Sequence, residues 1–406
     1  MTSLGIRTYA AFDSLRSRDF RWFWLGRLAS SATMEMGSVA QGWLAYQLTG
    51  SALAIGWVTA GRSIARLILS LYAGALADRI RKRQLLILCR GAMVINATAI
   101  ALLIVLGMVR VWHLAAYSFL SGVISSFMMP AERAYMAELV GRKRLLNAIS
   151  LTSVGMGLMG IFAASLAGFT IELFGVEIVY FAMAALYLGA VFSLSRLPLL
   201  GTRQVENSVW ADLKEGVSYL RAAPMLLPLM VIAVVRTILG FSYRSLMPVY
   251  AEEVLQFDAR GLGILLAAPS VGSLIGSFIL ASMGNYQGKG KLLLISGMLM
   301  GFALVAFSNT RHFALVLLFL MLTGAARNAT MVANQTLVQV NCSRAFSGRV
   351  MAVYMMIMGL MPFGTIPAGA IADAFGVPAA LTLQGGLMIL IFGAFWFARS
   401  RIRDLP

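Results

Sequence analysis

Twelve stretches of about 20 or more predominantly apolar residues constrain this chain more than any motif does. They run approximately 21–47, 53–77, 84–109, 112–138, 145–171, 177–196, 225–250, 259–283, 291–308, 312–338, 348–372 and 378–398. In lipid every backbone N–H and C=O needs a partner inside the protein, so only helices and closed barrels cross a bilayer. Barrel strands show short alternating segments, and no such alternation occurs here. The spacing predicts an all-α membrane protein with 12 transmembrane helices. Composition agrees, with 60% hydrophobic and only 12% charged residues, about half the charged share of a soluble domain.

Most connections between these stretches are very short. The longest, 197–224, is polar, contains Pro198 and includes the amphipathic segment "SVWADLKEGVSYL". It separates a bundle at 1–196 from a second at 225–406. Lysine and arginine set the orientation. The N-terminus, the even-numbered connections and the C-terminus hold 22 of them, and the opposite side holds only Arg110, Arg260 and Arg311. Both termini are therefore expected in the cytoplasm of a multi-pass protein of a bacterial inner membrane. The net charge of +17 reads as this topology signal facing anionic lipid, not as a nucleic-acid surface. The N-terminus mixes Arg7, Arg16 and Arg18 with Asp13 and Asp19 and does not read as a removable signal peptide. Two cysteines, Cys89 and Cys342, and two histidines without metal-ligand spacing imply no disulfide framework, no metal and no cofactor.

The two halves repeat. Ala167-Gly168, Glu172 and Phe174-Gly175-Val176 match Ala368-Gly369, Asp373 and Phe375-Gly376-Val377 at one common offset. Gly56, Ala60 and Ser63 match Gly263, Ala267 and Ser270 at another. Two six-helix halves related by an axis along the membrane normal describe the major facilitator architecture. The turn between the second and third stretches carries Gly74-x-x-x-Asp78-Arg79-x-x-Lys82-Arg83. It resembles the major facilitator signature G-x-x-x-D-R-x-G-R-R, with Arg81 in place of the inner glycine. Together with "PAERAYMAELVGRKRLLNA" (130–148) and "GRVMAVYMM" (348–356), the chain resembles the bacterial siderophore- and drug-exporting branch that includes the enterobactin exporter.

That resemblance implies a cytoplasmic gate made of Gly74, Asp78, Arg79 and Arg349. Asp78 would meet the positive N-terminus of the eleventh span at Ser347-Gly348-Arg349, with Arg349 adding an ion pair. The connection 284–291 has Asn285 where Asp78 stands, so the stronger latch belongs to the first half. For Arg81 and Lys82 a topogenic role suffices.

Charges inside the spans are functional candidates because each costs ~2.5–3.5 kcal/mol at mid-bilayer. Arg27, Arg90, Arg133 and Arg244 lie within roughly 10 Å of a span end, and for Arg27 and Arg90 snorkelling to the surface is the expected reading. Glu35, Arg62, Arg66, Arg236 and Arg327 sit too deep for that. The first span carries a polar stripe of Arg27, Ser31, Met34, Glu35, Ser38, Gln41 and Gly42 at helical spacing. Arg236, Gly240, Tyr243, Arg244 and Met247 repeat it in the seventh span, as do Arg327, Met331, Asn334 and Gln335 in the tenth. The family fold implies that spans one, four, seven and ten line the cavity, so the candidate substrate or proton path comprises Glu35, Gln41, Arg236, Tyr243, Arg327, Asn334, Glu132 and Arg133. For Glu132 and Arg133 a local salt bridge fits equally. Arg62 and Arg66 serve either a seam between halves or transport, and Asn96 reads as a helix–helix hydrogen bond.

Burial disfavours a charged carboxylate and a neighbouring guanidinium favours it. Glu35 is thus either a proton-sensitive switch or the fixed half of an ion pair with Arg236 or Arg62. Span five lacks a proline among its small residues, whereas Pro362 and Pro367 concentrate flexing in span eleven. No nucleotide loop or nucleophile–base set is present, so no enzyme is expected, and no selectivity ring argues for a channel. The expected function is a secondary active transporter working by alternating access in the lipid bilayer. It would export a small, anionic or amphipathic, siderophore- or drug-like molecule against protons. The alternatives are a lipid or lysolipid flippase of the same fold, or a non-transporting sensor or scaffold.

Overall fold

The computed structural model describes residues 13–200, 215, 218–221, 223–284, 286–343, 346–398 and 400–405, with the backbone alone at 70–79, 142–143 and 400–401. Among them every long element is a helix, and no strand occurs. α1 (Arg18–Thr49) starts where the Ser17 hydroxyl accepts the Phe20 N–H at 3.4 Å, a normal N-cap. It stops at Gly50 in the left-handed region, φ 61°. α2 (Ala52–Arg79) and α3 (Lys82–Val105) follow across two-residue turns. α4 (Val111–Gly141) and α5 (Arg144–Phe174) are separated at Gly141, whose φ of 68° and ψ of 169° are not helical. α6 is Val176–Ser195.

α7 (Leu226–Val254) is interrupted: Leu226–Phe241 gives way at Ser242 to Tyr243–Val249, then to a π turn at Tyr250–Val254. Pro248 removes a backbone donor in that region. α8 (Ala259–Ser282), α9 (Lys289–Ser308) and α10 (Phe313–Val340) are continuous. α11 (Ser347–Phe375) tightens into a 3-10 turn at Ile357–Leu360, directly before Pro362, which places its break where the two prolines predict it. α5, without proline, runs unbroken to Phe174. α12 is Val377–Ala398.

Eleven of the described helices are long and apolar enough to cross a membrane. α1 stands outside that group although it is 32 residues long, because even past Arg27 its Ser, Thr and Gly residues with Glu35 and Gln41 keep its hydropathy low. Predicted and observed bounds agree within a few residues. Most of the amphipathic segment 208–220 lies outside the described residues. Tyr219 and Leu220 are described, and Tyr219 stacks on Phe346 at 4.4 Å. On α3, Leu88, Ile95 and Leu102 recur every seven residues and are all exposed, the pattern of a lipid-facing stripe.

Within the first six helices α2 packs on α4 and α3 on α6; within the last six, α8 packs on α10 and α9 on α12. The two sets meet along three seams, α2 with α11, α5 with α8 and α1 with α7. The helix ends fall on two faces. One, the basic face, carries the turns 80–81 and 141–144 and the start of α1. The far face carries the links at 50–51, 175, 255–258 and 376.

The seams are closest near the far face. A Cβ on Gly369 of α11 would lie 2.7 Å from the Ala52 carbonyl oxygen, and one on Gly168 of α5 2.4 Å from that of Ala259. Only glycine permits such backbone contact. A Cβ on Gly42 of α1 would lie 2.9 Å from the side-chain ring of Pro248 on α7.

Candidate functional site

The α1 stripe changes character along its length. Met34 is 52% exposed, Glu35 and Ser38 are half-buried, and Gln41 and Gly42 are buried. A groove lined by α1 therefore narrows and shuts towards the far face. Gln41 is closed off altogether: its amide donates to the Leu114 carbonyl at 3.1 Å. It ties α1 to α4 and does not line the groove.

Glu35 sits where the stripe is still accessible. It accepts a hydrogen bond from Arg244 of α7 at 2.8 Å, with the two side chains 18% and 20% exposed. Neither Arg236 nor Arg62, the partners expected for it, holds this contact. Ser242 keeps helical torsions, φ −64° and ψ −26°, so Arg244 stays on the α7 face turned to α1 and meets the Glu35 carboxylate there.

Two more guanidiniums are close by, Arg327 within electrostatic reach of the pair and Arg236 next to Arg327. Arg236 of α7 and Arg327 of α10 both lie over the Phe241 ring, 5.9 and 5.0 Å from its centroid. Cation–π contact offsets part of the cost of burying them but satisfies no N–H. Among the described residues, Arg236 Nε and Nη1 and Arg327 Nε have no hydrogen-bond acceptor, and Arg236 is only 2% exposed. Buried donors of that kind are rare in a finished fold. The cluster holds three guanidiniums against one carboxylate, so it carries a local positive surplus.

Tyr243 is fully buried, edge-on to Phe307 at 6.3 Å, and its hydroxyl has no partner among the described residues. Asn334 is buried too. Its amide donates to the Leu229 carbonyl at 3.1 Å and so joins α10 to α7, while its Oδ1 accepts nothing among the described residues.

A second charge group lies in the first six helices. Glu132 of α4, 3% exposed, accepts from Arg27 of α1 and from Arg90 of α3 at 3.1 Å. Arg90 is entirely buried and also donates to the Ala190 carbonyl of α6 at 3.0 Å. The snorkelling expected of Arg27 and Arg90 is therefore corrected. A carboxylate within reach on α4 outweighs escape to the surface, and the three residues lock α1, α3, α4 and α6 together. Of the two readings left open for Glu132, the local salt bridge is the one observed. Arg133, one residue on and turned 100° around the helix, is exposed. Asn96 donates to the Tyr117 carbonyl and to the Ser121 hydroxyl at 3.1 Å, the helix–helix contact expected of it. Arg66 Nε is buried without an acceptor, and no ion pair of Arg62 or Arg66 occurs among the described residues.

The side chains of Gly74, Asp78 and Arg79 lie outside the described residues, as does Asn285. Arg349 at the start of α11 pairs with Glu215 of the connection at 2.7 Å and lies over Phe346 at 5.4 Å. Lys82 pairs with Glu138 of α4 at 2.6 Å, and Arg83 donates to the carbonyls of Leu194 and Ser195. The basic turn thus fastens α3 to α4 and α6, more than a topology signal requires. Among the described residues no group of His, Cys, Asp and Glu could hold a metal ion.

Comparison with known proteins places these observations in a lineage. A family model described as transmembrane secretion effector matches residues 9–405. The chain is similar to the staphyloferrin A transporter of Staphylococcus aureus, 24% identical over 374 residues, covering 91% of this chain and 93% of that one. It is similar to the enterobactin exporter of Escherichia coli, 24% identical over 385 residues, covering 92% and 91%. In fold it is similar to the nucleoside transporter NupG, with a TM-score of 0.80 at 13% identity, covering 93% of this chain and 99% of that one.

Proposed function

Because the chain belongs to the transmembrane secretion effector family of the major facilitator transporters, we propose that it exports a small anionic molecule by alternating access, in exchange for protons. The transporter role follows from the family; direction, coupling and cargo are this reading's own. The architecture we propose is twelve spans in two bundles, 1–196 and 225–406, joined by 197–224. The basic face is assigned to the cytoplasm of a bacterial inner membrane by the positive-inside bias.

The observation that carries the reading is the Glu35–Arg244 pair at 2.8 Å across the α1/α7 seam, beside two guanidiniums with free N–H groups. Arg244 can serve Glu35 or a cargo anion, but not both fully. An anion entering the groove would take hydrogen bonds from Arg236, Arg327 and Arg244 and would release Glu35. A proton on Glu35 would part the same pair by removing its charge. Either event unlocks the α1/α7 seam, cargo on the outward half of the cycle and a proton on the return, so the two are carried in opposite directions. The cargo class for which the two relatives are named, siderophores, provides small molecules of the required charge.

Proteoliposomes with an imposed pH gradient test this. An acidic catecholate or polycarboxylate probe is expected to accumulate, and ethidium-like cations are not. Glu35→Gln keeps probe exchange without a gradient but loses gradient-driven accumulation. Transport confined to lipophilic cations would overturn the cargo class, and unchanged gradient-driven uptake in Glu35→Gln would remove Glu35 from coupling.

A further inference from the structure

The far face is closed by a contact that the sequence pattern records only as a repeat. Asp373 lies in the last turn of α11 and accepts three hydrogen bonds from the first turn of α2. These come from the Ser51 hydroxyl at 2.6 Å, the Ala52 N–H at 2.7 Å and the Leu53 N–H at 3.2 Å. α2 has no acidic residue of its own in that turn. The first N–H groups of a helix lack intrahelical partners and carry partial positive charge. The Ser51 hydroxyl caps α2 locally by accepting the Ala54 N–H at 3.2 Å, and Asp373 adds, from the other set of six helices, an anionic cap for the two N–H groups that Ser51 leaves over.

The position is otherwise a poor one for an aspartate. At the C-terminal end of its own helix a carboxylate faces partial negative charge, and α11 has no basic residue in its last turn. Asp373 is exposed, so once parted from α2 it would be solvated by water. The contact is thus strong when made and cheap to break. A permanent tie would show the opposite pattern, as the buried Arg90–Glu132 pair does.

Backbone packing aims the carboxylate. Thr365, Gly369 and Asp373 follow one another at four-residue intervals on α11. A Cβ on Gly369 would lie 2.7 Å from the Ala52 oxygen, and one on Gly56 of α2 2.9 Å from the Thr365 oxygen. The repeat partner on α5 behaves differently. Glu172 is exposed and makes no hydrogen bond or ion pair among the described residues, and α8 is capped by its own Asp258, which accepts the Gly261 N–H at 3.1 Å. The cross-seam cap belongs to one seam only.

We propose that Asp373 is a gating residue of the transport cycle, the latch that holds the far face shut by capping α2 across the α2/α11 seam. It rests on the alternating-access reading above for its purpose, but not for its test. The test uses the full-length protein in oriented vesicles with Cys89 and Cys342 replaced by serine. A single cysteine at Ser38, behind the far-face closure, reports access from that side to a membrane-impermeant maleimide; one at Met34 reports access from the basic face.

Asp373→Asn is expected to raise far-face labelling of the Ser38 cysteine about tenfold, the scale of losing one well-placed anion at a helix N-terminus. Labelling of the Met34 cysteine from the basic face falls at the same time, and Asp373→Glu returns both rates most of the way. Equal increases at both faces would mean general loosening and would overturn the proposal, as would unchanged far-face labelling. Should Asp373→Asn fail to insert, Ser51→Ala removes one of the three bonds, together with the local Ser51 cap on the Ala54 N–H, and is expected to shift both rates in the same directions by a smaller factor. Because the readout is accessibility and not flux, a protein that carried no anion at all would still report on the latch.

Discussion

Replacing Glu132 by glutamine separates a structural carboxylate from a working one. Glu132 holds two guanidiniums, Arg27 at 22% exposure and Arg90 at none. Breaking a buried ion pair by removing one partner costs about 3–5 kcal/mol, because the other charge stays behind unpaired. Arg90 retains the Ala190 carbonyl and the new amide oxygen still accepts one bond, so the lower end, about 3 kcal/mol, applies. For a chain of this length each kcal/mol moves the melting temperature by about 2 °C or slightly less, giving a fall of roughly 5 °C. Cys89 is buried beside the group, so a fluorogenic maleimide in detergent reads its exposure on heating once Cys342 is replaced by serine. Arg90→Leu combined with Glu132→Leu is expected to recover most of the loss, since a packed apolar pair replaces a buried ionic one at little net cost. An unchanged melting temperature with transport abolished would refute the structural assignment and return Glu132 to the transport path.

Two further substitutions probe packing and the lining face. A Cβ at Gly272 of α8 would lie 1.7 Å from the Met321 carbonyl oxygen of α10. Gly272→Ala is therefore expected to destabilise by about 1–3 kcal/mol through overpacking, despite the ~1 kcal/mol gain in helix propensity; a higher melting temperature would contradict the crossing. Arg133→Gln is expected to leave transport and stability within about 0.5 kcal/mol of the parent, as for other exposed positions, and a strong loss of transport would show that Arg133 turns inward during the cycle.

Helix positions were legible because a bilayer leaves so few solutions: apolar length alone places the spans within a few residues. The deep charges were legible as well, since each is too costly to be accidental. Their partners were not. A span pattern gives depth and face on one helix, whereas the Glu35–Arg244 and Arg90–Glu132 contacts depend on which helices cross and where. Arg244 lies eight residues after Arg236, on the same helical face, and that spacing signalled a shared surface. That Glu35 of α1 is the group Arg244 meets had no such signal. Arg90 looked able to snorkel because distance to a span end was counted without a carboxylate on α4. Asp373 was visible only as the counterpart of Glu172. Its place in the last turn of its own helix, where a negative charge is out of place, was the available clue.

The two glycine-lined seams are similar in backbone and different in charge. Gly168 and Gly263 bring α5 and α8 together much as Gly369 and Gly56 bring α11 to α2. Apart from Arg260 lying over the Phe169 ring at 4.5 Å and the Ser270 hydroxyl packed on Gly160, the described α5/α8 contact is apolar. α2 and α11, by contrast, each carry an aspartate in the last turn, Asp78 and Asp373. Each is disfavoured by its own helix and suited to the first turn of the other, at opposite faces of the membrane. Rocking two bundles about their middles lengthens one of these distances as it shortens the other. On the proposed mechanism the α2/α11 seam therefore holds a lock for each state, and Asn285 in place of a second aspartate leaves α5/α8 without one. A seam that exchanges no ionic contacts during rocking meets little desolvation cost in either direction. That is the physical requirement for a pivot, and it assigns the turning point to α5/α8 and the choice of open face to α2/α11.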